Sequence, residues 1–243
     1  MTTGARSVAE TLRERFGRVR GRIEAAARRA GREPEGITLV AVSKTHPVEL
    51  LREALGAGVR EFGENKVQEA DDKAARLGRA DGMRWHLIGR LQSNKARRAA
   101  LLFDLIHTVD SAALVGRLER VCAEEGRERL EVLVQVDLAG EATKAGAPPE
   151  KLPAVFDALA ACERVRCRGL MTLPPFEDDP ERVRPYFRRL RELRDEWAAR
   201  GHFGGGAGEL SMGMSHDFEP AIEEGATLVR VGTAVFGRRP ARA

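Results

Sequence analysis

The sequence of 243 residues is 42% hydrophobic and 32% charged, the balance of an ordinary soluble globule with one large core. It holds no run near the about 18 apolar residues that cross a bilayer. Its opening, MTTGARSVAETLRERF, lacks an apolar signal core and carries Glu10 and Glu14, so no membrane association or export is expected and the cytoplasm is the expected compartment.

The net charge of +4 does not indicate a nucleic-acid partner. The arginines alternate with Glu and Asp along helical segments, and aromatics reach only 5%, too few for a base-stacking platform. Three cysteines, Cys122, Cys162 and Cys167, share no metal-ligand spacing and read as reduced thiols.

In chain order, Val8, Leu12, Phe16, Val19, Ile23 and Ala27 recur every three or four residues. They predict a long amphipathic helix closed by Gly31 and Pro34. The run ITLVAVSK at 37–44 is continuous and rich in β-branched residues, the pattern of a strand buried on both faces of a parallel sheet. Beyond it, apolar runs alternate with helical periodicity and give candidate strands at 37–42, 59–62, 84–88, 104–109, 131–137, 165–170, 208–211 and 227–231.

The clearest helix start follows the sixth strand. Asp179 and Pro180 supply the cap and first-turn signals, and Val183, Phe187, Leu190, Leu193 and Trp197 form the stripe until Gly201. Eight alternating units imply a parallel, closed (β/α)8 TIM barrel, a single α/β domain over 1–243 with an extra N-terminal helix. An open doubly wound sheet is the alternative, but no GxGxxG follows the first strand. GGGAG at 204–208 precedes no helical pattern and reads as a loop.

Such barrels carry their chemistry at the C-terminal ends of the strands. Lys44 stands directly after the first strand, where partial desolvation would favour the neutral amine and Schiff-base chemistry. Position alone favours the plainer reading, a surface lysine whose stem snorkels along the rim. Ser211, Gly232 and Thr233 close strands seven and eight, the place where these barrels bind phosphate, although Gly and Ser are also plain turn residues. A Schiff-base lysine opposite a phosphate cradle suggests pyridoxal phosphate as cofactor.

The strings AVSKTHP, FGENKVQEA, WHLIGRLQSNK, GLMTL, LSMGMSHD and LVRVGTAVFG resemble, in this order, those of the pyridoxal phosphate homeostasis proteins. These form the YggS or PROSC family, which shares the alanine racemase N-terminal barrel (fold type III). The resemblance covers about residues 7–237. It implies that Lys44 carries pyridoxal phosphate as a covalent Schiff base, with Ser211, Gly232 and Thr233 as phosphate ligands. Arg230 would face the pyridine nitrogen, Asn65 and His86 would line the pocket, and Met212 would pack nearby. Lys144 matches a second strand-end lysine implied to pass cofactor on. Two positions depart from the family pattern: Lys66 stands where tyrosine is usual, and Asp137 where asparagine is frequent.

The resemblance further implies a monomer that maintains intracellular pyridoxal phosphate and vitamin B6 homeostasis and delivers cofactor to apo-enzymes without robust catalysis. Racemisation in this fold needs a tyrosine opposite the lysine, and the only tyrosine, Tyr186, lies in a helical stripe. Arg230 would also keep the pyridine nitrogen unprotonated and the ring a poor electron sink. The rival readings are a weakly active amino-acid racemase or related enzyme, a barrel metallohydrolase using His86, His107 and His216, and a scaffold without cofactor. The metal reading lacks a His/Asp/Glu ligand cluster, and no metal is expected.

Overall fold

The computed structural model describes residues 10–78, 80–140 and 145–237. Eight parallel strands form a closed barrel in sequence order: β1 (Thr38–Val42), β2 (Glu61–Glu64), β3 (Arg84–Leu87), β4 (Leu105–Val109), β5 (Leu130–Gln135), β6 (Val165–Met171), β7 (Glu209–Met214) and β8 (Leu228–Val231). β8 closes on β1 in a continuous register from Thr38 opposite Leu228 to Ala41 opposite Val231. The expected (β/α)8 barrel is the observed fold.

Helix α1 (Leu12–Arg29) precedes the barrel. The helices that follow the strands are α2 (Val48–Gly56), α3 (Val67–Leu77), α4 (Ala96–Leu102), α5 (Ala112–Glu124), α6 (Leu152–Ala160), α7 (Arg184–Ala199), α8 (Phe218–Glu223) and α9 (Thr233–Phe236). The expected α1 stripe buries Leu12, Val19, Ile23 and Ala27; Val8 lies outside the described residues. α1 packs on α8, where Arg22 pairs with Glu219 at 2.9 Å and lies over the Phe218 ring.

Thr11 opens α1 with a reciprocal capping box: its side chain accepts from the Glu14 N–H, and the Glu14 carboxylate accepts from the Thr11 N–H at 2.8 Å. Two first-turn donors are thereby satisfied. Thr11→Ala is expected to cost about 1 kcal/mol in urea unfolding, the usual worth of such a cap.

Strand alternation divides the apolar side chains into two layers. Leu39, Ala41, Phe62, Leu87, Leu210 and Val229 point outward into the helix-covered layer, whereas Val40, Leu105, Leu133, Met171 and Leu228 pack together inside the barrel. The N-terminal end of the lumen is closed by charged residues. Arg84 approaches Glu61 and Glu131 at 3.8 and 3.3 Å, and Arg168 approaches Glu131 and Glu209 at 3.9 and 3.7 Å. The three cysteines are free thiols, as expected. No helix among the described residues is long and apolar enough to cross a membrane.

Candidate functional site

Lys44 is half-buried in the turn that leaves β1 at the C-terminal rim. Both its chain neighbours are held by one buried ammonium and the acids around it. Lys73 Nζ on α3 donates to the Ser43 carbonyl, to Glu64 Oε1 and to Glu69 Oε1, each at 2.7 Å. Ser43 Oγ donates to Glu64 Oε1 at 2.7 Å, and the Thr45 N–H donates to the Glu69 carboxylate.

Thr45 is the single non-glycine residue with positive φ (67°) among those described. That conformation costs a β-branched side chain about 1–3 kcal/mol. It persists because Glu69 holds its N–H, and because the next ring, His46, stacks on Phe236 of α9 at 5.0 Å. The turn bearing Lys44 is therefore tied to both α3 and α9.

Inside the lumen a polar chain runs from floor to mouth. Glu61 Oε2 lies 2.5 Å from His86 Nε2, His86 Nδ1 lies 2.9 Å from His107 Nε2, and His107 Nδ1 lies 2.9 Å from Ser211 Oγ. Arg230 then donates from Nη1 to Ser211 Oγ at 2.5 Å and from Nη2 to the Thr172 carbonyl at 2.9 Å. Arg230 is only 2% exposed, and burial pulls its guanidinium down to about 10, against the opposing charge of Asp217. Two donated bonds leave a buried five-donor fork with capacity for a further acceptor at the mouth.

Arg230 stands beside Val40 in the β1–β8 register, and Gly232 lies against Val42, which an added Cβ would meet at 3.4 Å. The ends of β1 and β8 thus bring Lys44, Arg230, Gly232 and Thr233 to one sector of the rim. Thr233 is exposed at the start of α9, while the Gly232 N–H donates to Ser215 Oγ at 3.2 Å. Asn65 is half-buried after β2 and lines a cavity of about 350 Å³ with Lys66, Gly89, Gln92 and Lys95. Gly89 is required there, since a Cβ would fall 2.2 Å from the Asn65 carbonyl oxygen.

Three expected positions are corrected. Ser211 is fully buried and has its hydroxyl engaged by Arg230 and His107, so it sits below the rim and is not placed to take phosphate. His86 is equally buried, with both ring nitrogens used in the lumen, and does not line the mouth. Met212 alternates with Ser211 and therefore points into the outer layer among apolar neighbours.

Ser215, four residues beyond Ser211, is the rim hydroxyl that sequence reasoning missed; the second serine of SMGMS was its signal. Glu61 and Thr172 were also missed, and nothing in their local patterns marks them. Lys66 is exposed at the start of α3, as expected. Asp137 accepts the Ala139 and Gly140 N–H groups at 3.1 Å each, which commits one of its carboxylate oxygens to its own turn. Lys144 and Glu141 lie outside the described residues.

A cavity of about 480 Å³ at the opposite end of the barrel, lined by Arg129, Arg166, Arg168 and His202, is remote from these strand ends. Among the described residues no cluster of three or more His, Cys, Asp or Glu side chains could hold a metal ion. His216 instead bonds the Asp178 carbonyl at 2.9 Å.

Residues 16–240 match the family model described as alanine racemase, N-terminal domain. The pyridoxal phosphate homeostasis protein of Aquifex aeolicus is 45% identical over 226 residues, covering 93% of this chain and 97% of that protein. The chain belongs to the pyridoxal phosphate homeostasis family. The member from Pseudomonas aeruginosa is 46% identical over 94% of this chain and 96% of its own length. Among solved structures, PipY of Synechococcus elongatus with PLP bound superposes with a TM-score of 0.81 at 40% identity, covering 93% of this chain and all of that one. The homeostasis-family assignment agrees with the order of strings in the sequence and with the closed barrel.

Proposed function

We propose that this protein binds pyridoxal phosphate at the barrel mouth, holds it covalently on Lys44, and keeps the cofactor available to other proteins without turning it over in catalysis. The observation that carries this reading is the pairing of Lys44 at the end of β1 with the buried Arg230 on the adjoining β8. The names of the homeostasis relatives and the PLP-bound PipY structure support it.

Pyridoxal phosphate supplies an aldehyde that condenses with a lysine amine. The chain's own groups suit that ligand. Arg230 has no acceptor atom, so it complements a pyridine nitrogen only in the unprotonated state. Ser215, Gly232 and Thr233 supply a hydroxyl-rich rim with little side-chain bulk, and Asn65 follows β2, the other neighbour of β1. Tyr186 packs against the outer apolar layer of the barrel, so no tyrosine among the described residues stands opposite Lys44 as a second base. Binding without proton abstraction at Cα is the consistent outcome.

Purified protein incubated with pyridoxal phosphate is expected to absorb near about 420 nm, and borohydride is expected to fix the adduct on Lys44. Lys44→Ala is expected to lose both signals while keeping its fold. A wild type that takes up no cofactor would overturn the reading. Incubation with free amino acids and with an apo-enzyme separates storage and delivery from turnover. Appreciable racemisation would favour the enzymatic alternative, and transfer no faster than from free solution would remove the delivery role.

A further inference from the structure

The lumen of a (β/α)8 barrel is ordinarily filled by branched apolar side chains. Here half of it follows that rule through Val40, Leu105, Leu133, Met171 and Leu228, while the rest is crossed by hydrogen-bonded polar groups. Such a chain is retained at an energetic cost unless every member is satisfied, and its proton positions follow from the chemistry of its two ends.

Arg230 can only donate. Ser211 Oγ therefore accepts from Nη1, and the Ser211 proton must go to His107 Nδ1. His107 Nδ1 is then unprotonated, its Nε2–H donates to His86 Nδ1, and the His86 Nε2–H donates to the Glu61 carboxylate. The opposite polarity fails at one atom. It would aim both Arg230 and a His107 Nδ1–H at Ser211 Oγ and leave the serine proton without an acceptor.

The electrostatics agree. Burial above all, with the charges of Arg230 and Arg84, holds the His107 imidazole well below the usual histidine range. Burial alone would raise the Glu61 carboxyl, but the His86 hydrogen bond and the charge of Arg84 keep it below the ordinary carboxylate range.

We propose that the directed chain Arg230→Ser211→His107→His86→Glu61 is a positioning device, with His107 as its central positioning residue, that anchors the Arg230 guanidinium under the mouth and fixes its donors for the pyridine nitrogen. The proposal rests on the cofactor reading above. It assigns the polar lumen to the binding site even though none of Ser211, His107, His86 and Glu61 reaches the rim. It also explains why Ser211 resembles a binding residue in sequence while lying too deep to touch phosphate.

The test has one arm on the cofactor-free wild type. With ¹⁵N-histidine labelling, long-range ¹H–¹⁵N spectra at neutral pH are expected to show His86 and His107 both neutral and both protonated at Nε2. A protonated Nδ1 on either ring, or an imidazolium at His107, overturns the proposal whether or not cofactor binds.

The second arm titrates pyridoxal phosphate into His107→Leu, His107→Gln and Ser211→Ala. His107→Leu and Ser211→Ala are expected to weaken binding about tenfold, the worth of a lost bond to a charged group. His107→Gln, which can accept from Ser211 and donate to His86, is expected to recover part of the loss. Binding within twofold of wild type in both His107→Leu and Ser211→Ala overturns the device. Failure of the cofactor reading itself shows separately, as no uptake by the wild type, and the labelled spectrum judges the chain's polarity even if a variant does not fold.

Discussion

Lys73→Met is expected to lower stability by about 3–5 kcal/mol, the usual result of removing one partner from a buried ion pair. Lys73 and Glu64 are 5% and 0% exposed, and Lys73 is the only cation within bonding distance of Glu64 among the described residues. Glu64 Oε2 already has no hydrogen-bond partner, so loss of the ammonium leaves a carboxylate whose one good bond comes from Ser43.

The pH dependence gives the effect a signature. Burial pushes the Glu64 carboxyl above its ordinary value of 4.5, with Lys73 and Ser43 opposing. A carboxyl whose folded value is raised contributes stability that is fully present below the unfolded value and lost as pH rises through the folded one. Without Lys73 that folded value climbs further, so the deficit of Lys73→Met relative to wild type is expected to shrink towards pH 5 and widen towards pH 7 in parallel urea titrations. Glu64→Gln/Lys73→Met is expected to recover most of the loss, because no fully buried charge is then left unpaired; Glu69, which also loses its Lys73 bond, is partly exposed. A deficit equal at both pH values would mean that lost packing dominates. Because the same ammonium holds the Ser43 carbonyl and Glu69 beside the strained Thr45, Lys73→Met is also expected to loosen the Lys44 turn and reduce cofactor uptake.

That network marks where sequence reading stopped. β1 was visible because ITLVAVSK is apolar on both faces and its polar end stands out. β2 was expected at 59–62 and forms at Glu61–Glu64, because the buried Val59 belongs to the entry into the strand while Gly63 and Glu64 carry it on. β7 runs to Met214, beyond the expected 211, because pairing with β8 resumes at Met214 opposite Arg230 after a register shift that passes Gly213 at a φ of 90°.

Residue types at the strand ends marked Lys44 and Arg230 as candidates, and the structure brings both to the C-terminal ends of adjoining strands. Hydropathy cannot report how high a side chain stands in the lumen, because strand tilt and stagger decide which residues share a layer. For that reason His86 and Ser211 looked like rim residues and are interior ones. Lys73 lies in NKVQEADDKAAR, a segment of mixed charge in which nothing local marks one lysine as buried. Only the packing of α3 on β2 buries that lysine against Glu64.

Gly169→Ala is expected to be the most damaging single-methyl addition in the barrel, with a loss of about 4 kcal/mol or failure to fold, which places it among the exceptional point substitutions. Gly169 lies in β6 opposite Glu209 of β7 and has φ of 154°. A Cβ there would fall 2.0 Å from the Glu209 carbonyl oxygen and 2.4 Å from its nitrogen. Both are backbone atoms of the neighbouring strand, so no side-chain rotation relieves the overlap and the two strands must separate. Overpacking of a rigid core alone costs about 1–3 kcal/mol, and the unfavourable φ adds about 1–3 kcal/mol for a residue with a Cβ. Gly116→Ala is the matching control: it is exposed within α5, has open space around the added methyl, and is expected to stabilise by up to about 1 kcal/mol through helix propensity. Separation of β6 from β7 would also displace Thr172, whose carbonyl accepts from Arg230. Any folded fraction of Gly169→Ala is therefore expected to bind pyridoxal phosphate more weakly than wild type. Retention of wild-type affinity by that fraction would show that Arg230 keeps its place without the Thr172 bond, with Ser211 and the histidine chain as its sufficient anchor.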